Sequence, residues 1–197
     1  MCSSDLEKMS EIVNWKDRSV CVLFGDGAGA VVLKAVDNNT EDVTGALVGH
    51  ERGIIDSNIY NDGTGASVLT GGRRFSDSCS TDIFIHMDGQ EVFKFAVKSV
   101  PTAIETLLHN NNMDINDVDK FILHQANVRI IESVAKRLKA DKDKFPVNLN
   151  EYGNTSSASI PILLDELNRN GSLKQGEKLV LAGFGAGLSW GSILLVW

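Results

Sequence analysis

Apolar positions along this chain change rhythm several times, and the changes mark out its elements. Residues 20–24 (Val-Cys-Val-Leu-Phe) and 30–34 (Ala-Val-Val-Leu-Lys) are β-rich and flank the turn-forming run Gly25-Asp26-Gly27-Ala28-Gly29, so an antiparallel hairpin is expected there. Residues 37–42 are polar and linker-like, and 43–49 read as a strand. From 56 to 82 the chain is rich in Gly, Ser, Asp and Thr with little periodicity, the signature of a long functional or mobile loop. Residues 83–87 form a strand candidate. Asp88 and Glu91 have the spacing of a capping box, and the apolar stripe from Val92 to Leu108 follows at helical intervals. Pro101 lies inside that stripe and is expected to kink or split the helix.

The second half is more regular. Residues 119–123 form a short strand, and Val128, Ile131, Val134, Ala135 and Leu138 define the buried face of the next helix. Residues 159–170 predict another helix, with Pro161 in its first turn and Gly171 beyond its end. Residues 178–182 and 192–196 predict two final strands, a hairpin joined by the glycine-rich segment 183–191. Strands alternating with helices indicate an α/β fold with a mixed β-sheet. In such sheets, ligands bind at the carboxyl ends of strands.

Composition narrows the class. With 197 residues, 43% hydrophobic and 23% charged, the chain can build a proper core. No apolar run reaches the length of a membrane span, and the start lacks a signal-peptide apolar region. A net charge of −7 argues against nucleic acid as a partner. Cys2, Cys21 and Cys79 are an odd number without metal-ligand spacing, which fits a reducing, cytoplasmic setting and no metal.

Two short motifs stand out: Leu123-His124-Gln125-Ala126-Asn127 and Gly153-Asn154-Thr155-Ser156-Ser157-Ala158-Ser159. Together with the glycine-rich 183–191, they supply the parts of an acyl-transfer site in which hydrogen-bond donors stabilise a thioester oxygen. Singly, each has a plainer explanation. A lone His after a strand is commonly structural, Asn127 suits a helix N-cap, Asn154 suits a turn, and 183–187 suit a hairpin. Gly25–Gly29 lacks the lysine of a phosphate loop.

Taken in order, Asp17-Arg18, residues 23–30, Gly89-Gln90-Glu91-Val92-Phe93-Lys94, His124-Gln125-Ala126-Asn127, Gly153-Asn154-Thr155-Ser156 and residues 184–191 resemble the later part of β-ketoacyl-acyl carrier protein synthase III. This family of condensing enzymes starts bacterial fatty acid synthesis, and the similarity runs over nearly the whole chain. The resemblance implies a thiolase-like fold, one half of a five-layered αβαβα core, with residues 1–40 ending a first half and 41–197 forming the second. It implies that His124 and Asn154 donate hydrogen bonds to a malonyl thioester oxygen, and that the Ala186 N–H serves an oxyanion hole. Phe184 would shape the site. Gly89, Phe93 and Asn127 would line the pantetheine channel, and Arg18 would stack on adenine. Arg129, Lys136 and Arg137 would dock the acidic carrier protein; without the resemblance they read as a helix's solvated face. The family often has Gly at position 186 and Asn at position 90, where this chain has Ala186 and Gln90. Coenzyme A enters as a thioester substrate, so no cofactor is expected. The implied partners are acyl carrier protein, acyl-CoA, the N-terminal half of the same enzyme and, at full length, a second copy in a homodimer.

The main departure is the nucleophile. The family's cysteine sits in an elbow upstream of the position of Arg18. Cys2 lacks that motif, Cys21 lies in an apolar run, and Cys79 lies in the long loop. The expectation is therefore a C-terminal part that keeps the decarboxylation residues and is inactive in condensation by itself. Two other readings stay open: a non-catalytic module binding carrier protein or coenzyme A, and a purely structural fragment.

Overall fold

The computed structural model of the chain describes residues 2–35, 52–71 and 83–197. The expected linker 37–42, the expected strand 43–49, the boundary at 40 and Cys79 all lie outside the described residues.

The central element is a four-stranded mixed sheet in the order β3 (Gly53–Asn61), β8 (Ser189–Val196), β7 (Lys178–Gly185), β6 (Lys120–Leu123). β3 and β7 both run antiparallel to β8, and β6 runs parallel to β7. Alternate side chains on a strand point to opposite faces. Here the two faces bury different helices. Phe121, Leu123, Val180, Ala182 and Leu194 pack under α1 (Gly89–Asn110) and α2 (Val128–Leu138). Their neighbours Ile122, Leu179, Leu181 and Leu195 pack on the other side against α4 (Ser159–Arg169), which follows the one-turn α3 (Leu149–Tyr152). The result is an α/β layer with helices on both faces.

Helix ends follow local chemistry. The Asp88 carboxylate accepts from the N–H groups of Gln90 and Glu91 at 3.0 and 3.1 Å, half of the expected capping box. Glu91 does not complete it, because its carboxylate binds Lys94 at 2.6 Å instead. α1 runs unsplit through Pro101, which is itself buried in the helix's packed face. The lost N–H costs one backbone bond, which tertiary packing offsets. Asn127 caps α2 by accepting from the Arg129 N–H at 2.8 Å.

Two expectations fail. Residues 20–23 form turns, Phe24 makes an isolated bridge, and the strand running through Gly27 and Gly29 is β2 (Gly27–Val32), paired antiparallel with β1 (Cys2–Glu7). The alternating glycines are there for close approach to a neighbouring segment. A Cβ on Gly25 would stand 2.2 Å from the Tyr152 carbonyl oxygen, and one on Gly29 would stand 2.5 Å from Pro161 Cγ. The expected loop at 56–82 begins as the edge strand β3, followed by β4 (Leu69–Thr70), which pairs with β5 (His86–Met87). β3 escapes notice because it is polar for a reason: the Asn58 side chain binds Ala103 O, Ser192 N and Ser192 Oγ, tying α1 and β8 to the edge. Residues 72–82 lie outside the described residues. No described helix is long and apolar enough to cross a membrane.

Candidate functional site

A cavity of about 670 Å³ opens at the carboxyl end of β6 and β7. Its walls come from both ends of the sequence, with Met9 and Phe24 on one side and His124, Asn154 and Phe184 on the other. The two sides are joined by backbone pairing. The Asn154 N–H donates to Leu23 O and the Gly25 N–H donates to Asn154 O, each at 2.9 Å, forming a parallel bridge between Phe24 and Asn154.

His124 follows the last residue of β6, and its N–H continues the ladder to Ala182 O at 2.8 Å. Its Nδ1 lies 2.7 Å from Ser159 Oγ, and its ring meets Phe184 edge-on at 5.3 Å. The ring keeps some surface on the cavity and is otherwise enclosed. Burial without a charged partner pushes its pKa down from 6.5 to about 4, so the imidazole is neutral at ordinary pH. Asn154 is buried, and its Oδ1 accepts from the Ser156 N–H at 2.9 Å. Because that partner is a donor, the atom facing it must be oxygen, and Nδ2 is left to donate. Gly153, just before it, has φ +66°, a conformation that glycine adopts readily.

Ala186 lies in the β7–β8 turn on the cavity wall, and Gly89 and Asn127 also border it. The side chain of Asn127 is engaged in capping α2. Phe93 does not border the cavity: it packs against the core between α1 and α2. Arg18 is exposed in the turns before β2, away from the cavity wall. Arg129, Lys136 and Arg137 are exposed on α2 and form no ion pair among the described residues. Cys21 is half-buried and packs against the small cluster of Met9, Val13, Val20 and Ile85. No cysteine is among the described residues that line the cavity.

Other residues matter here that sequence reasoning gave no role. Ser159 is the partner of His124. Gln125 is fully buried: its Nε2 donates to Leu123 O at 2.8 Å, and its Oε1 accepts from Asn148 N at 3.2 Å. Asn148 in turn donates to Glu166 at 2.6 Å, so Gln125 of the first motif is tied through Asn148 to the helix that follows the second. Phe95 and Trp190 extend the aromatic contacts of Phe184, at 6.3 Å for Phe95–Phe184 and 5.3 Å for Phe95–Trp190. Gln125 and Ser159 lie inside the two motifs and Trp190 inside the glycine-rich 183–191, which were usable signals; nothing local distinguishes Phe95.

Comparison with known proteins bears on the same residues. A family model described as 3-oxoacyl-[acyl-carrier-protein (ACP)] synthase III matches residues 5–63, and one described as the C terminal of that synthase matches 108–197. The beta-ketoacyl-[acyl-carrier-protein] synthase III of Clostridium tetani is 43% identical over 206 residues, covering 98% of this chain and 58% of its own. That of Caldanaerobacter subterraneus is 45% identical over 198 residues, covering 97% and 56%. The crystal structure of 3-oxoacyl-[acyl-carrier-protein] synthase III from Aquifex aeolicus superposes with a TM-score of 0.86 at 39% identity, over 100% of this chain and 57% of that one. The chain thus spans somewhat more than half the length of the curated relatives it matches.

Proposed function

We propose, from the premise that this chain belongs to the thiolase-like 3-oxoacyl-[acyl-carrier-protein] synthase III family, that its cavity is the decarboxylating part of a condensing-enzyme site. The observation that carries this reading is the pairing of a neutral His124 with an Asn154 whose Nδ2 is free to donate, on one mostly apolar cavity.

The chemistry follows from that pair. A malonyl thioester on acyl carrier protein enters with its thioester carbonyl between the two side chains. The bond from the α-carbon to the carboxylate breaks, carbon dioxide leaves, and the electron pair passes onto the thioester oxygen as an enolate. Nε2–H of His124 and Nδ2–H of Asn154 donate to that oxygen and stabilise the charge as it develops. A neutral imidazole suits this role, since it donates without drawing in a counter-ion. The apolar walls exclude water from the carbanion. In full condensation the carbanion attacks an acyl group held on a cysteine, and the Ala186 N–H would stabilise the oxygen of that acyl group. The pantetheine arm would pass Gly89 and Asn127, with Phe93 behind them and Arg18 at the adenine end. Arg129, Lys136 and Arg137 would attract the acidic carrier protein in a salt-dependent way.

The second reading is a module that binds a carrier-protein or coenzyme A thioester in this mostly apolar cavity without turnover. Carbon dioxide release from malonyl-acyl carrier protein separates the two. Release is expected, reduced roughly 10²–10³-fold in His124→Ala and Asn154→Ala, the usual cost of losing one oxyanion donor. Binding with no release would favour the second reading. Release unchanged in both variants would remove these residues from the site.

A further inference from the structure

We propose that the Ser159 hydroxyl is a positioning group that sets the tautomer of His124, donating its proton to Nδ1 and so presenting Nε2–H to the cavity. The inference rests on the functional reading above only for what that Nε2–H is used to do.

The argument is one of counting protons and lone pairs. Ser159 opens α4 and is 2% exposed, so no solvent satisfies its hydroxyl. A serine hydroxyl has one proton to give and two lone pairs to receive with. The Gln125 N–H donates to Oγ at 3.2 Å and takes one lone pair. The imidazole Nδ1 stands at 2.7 Å. Oγ makes no hydrogen bond to a carbonyl or carboxylate oxygen among the described residues, so Nδ1 is the one acceptor for its proton.

The opposite tautomer fails on the same count. If Nδ1 carried the proton, it would fill the second lone pair of Oγ and leave the hydroxyl proton buried with no acceptor, an arrangement that folded interiors avoid. It would also leave Nε2 as a lone pair facing the cavity, where a thioester oxygen offers only lone pairs of its own. Burial keeps the ring neutral, so it has a single N–H to place. A protein's histidine tautomer is set by the bond its other nitrogen makes. Both proposed donors are therefore aimed by one stretch of chain: Ser156 N fixes the amide of Asn154, and Ser159 Oγ fixes the ring of His124.

The test is two-bond ¹H–¹⁵N correlation spectroscopy on the chain labelled with ¹⁵N-histidine. Its four histidines are sorted by the signal lost in His124→Ala. The expected spectrum has Nε2 protonated and Nδ1 unprotonated in the native chain. That pattern should persist in Ser159→Thr and give way to a mixture or to Nδ1–H in Ser159→Ala. The decarboxylation kcat should fall in Ser159→Ala, by less than the roughly 10²-fold or more expected for losing the donor outright, with KM changed far less. An Nδ1–H pattern in the native chain overturns the inference and needs no variant to fold. An unchanged Nε2–H pattern in folded Ser159→Ala also overturns it, leaving Ser159 a merely structural role. A native Nε2–H spectrum without carbon dioxide release supports the tautomer assignment and counts against the functional reading instead.

Discussion

The β1–β2 pair and the four-stranded sheet are both hydrogen-bonded sheets, yet they are covered very differently. In the sheet, consecutive residues of β6 and β7 alternate between two helical layers, and Phe121, Ile122 and Leu179 are completely enclosed. In the pair, the glycines of β2 lie against the start of α4 while Leu6 and Val32 stay 82% and 78% exposed. Hydrophobic sequence alone therefore does not say which strand is central; the helices that follow it do. The difference also locates the site. The cavity lies at the seam, with one wall from the well-covered region and one from the thinly covered region, and the bridge between Phe24 and Asn154 crosses it.

The contrast can be pressed by substitution. Phe121→Ala removes a ring stacked on Phe145 at 4.6 Å in the closed core and is expected to cost about 3–5 kcal/mol, read from urea unfolding. Gly25→Ala places a methyl against a backbone carbonyl at the seam; about 1–3 kcal/mol is expected, with decarboxylation impaired because Asn154 pairs with Gly25 directly. A pH effect of comparable size is also expected. The unfolded chain protonates His124 near pH 6.5 and the folded chain only near pH 4, so the unfolded state binds more protons between them. Stability is then expected to fall as pH drops through that window, and His124→Ala should flatten this part of the urea-midpoint profile. Val32→Ala, on the exposed face of β2, should shift stability by less than about 0.5 kcal/mol. A large loss there would mean that this face is covered in solution.

Legibility in the sequence followed the same divide. The three long helices and the strands from 89 to 197 were readable because helices with buried stripes, two of them capped by Asp88 and Asn127, alternate with short apolar strands; the one-turn helix at Leu149–Tyr152 was not. β3 was missed because its polar side chains are spent on tying the edge together, which looks like loop composition. β2 was displaced because glycines at alternate positions read as a turn, whereas here they make room for Tyr152 and Pro161. At the site, the two motifs drew the eye to His124 and Asn154, and the structure brings both to one cavity. The packing of Phe93 against the core, and the partnership of Ser159 with His124, depend on contacts between elements that spacing along the chain does not encode.

The most direct measurement is the rate of malonyl-acyl carrier protein decarboxylation by Asn154→Asp. Aspartate keeps the shape of the side chain and can still accept from the Ser156 N–H, but it has no Nδ2–H to donate. If Asn154 works by donating to the thioester oxygen, the rate should fall at least as far as in Asn154→Ala, roughly 10²-fold or more. A rate close to that of the native chain would contradict that role and leave Asn154 as a turn residue.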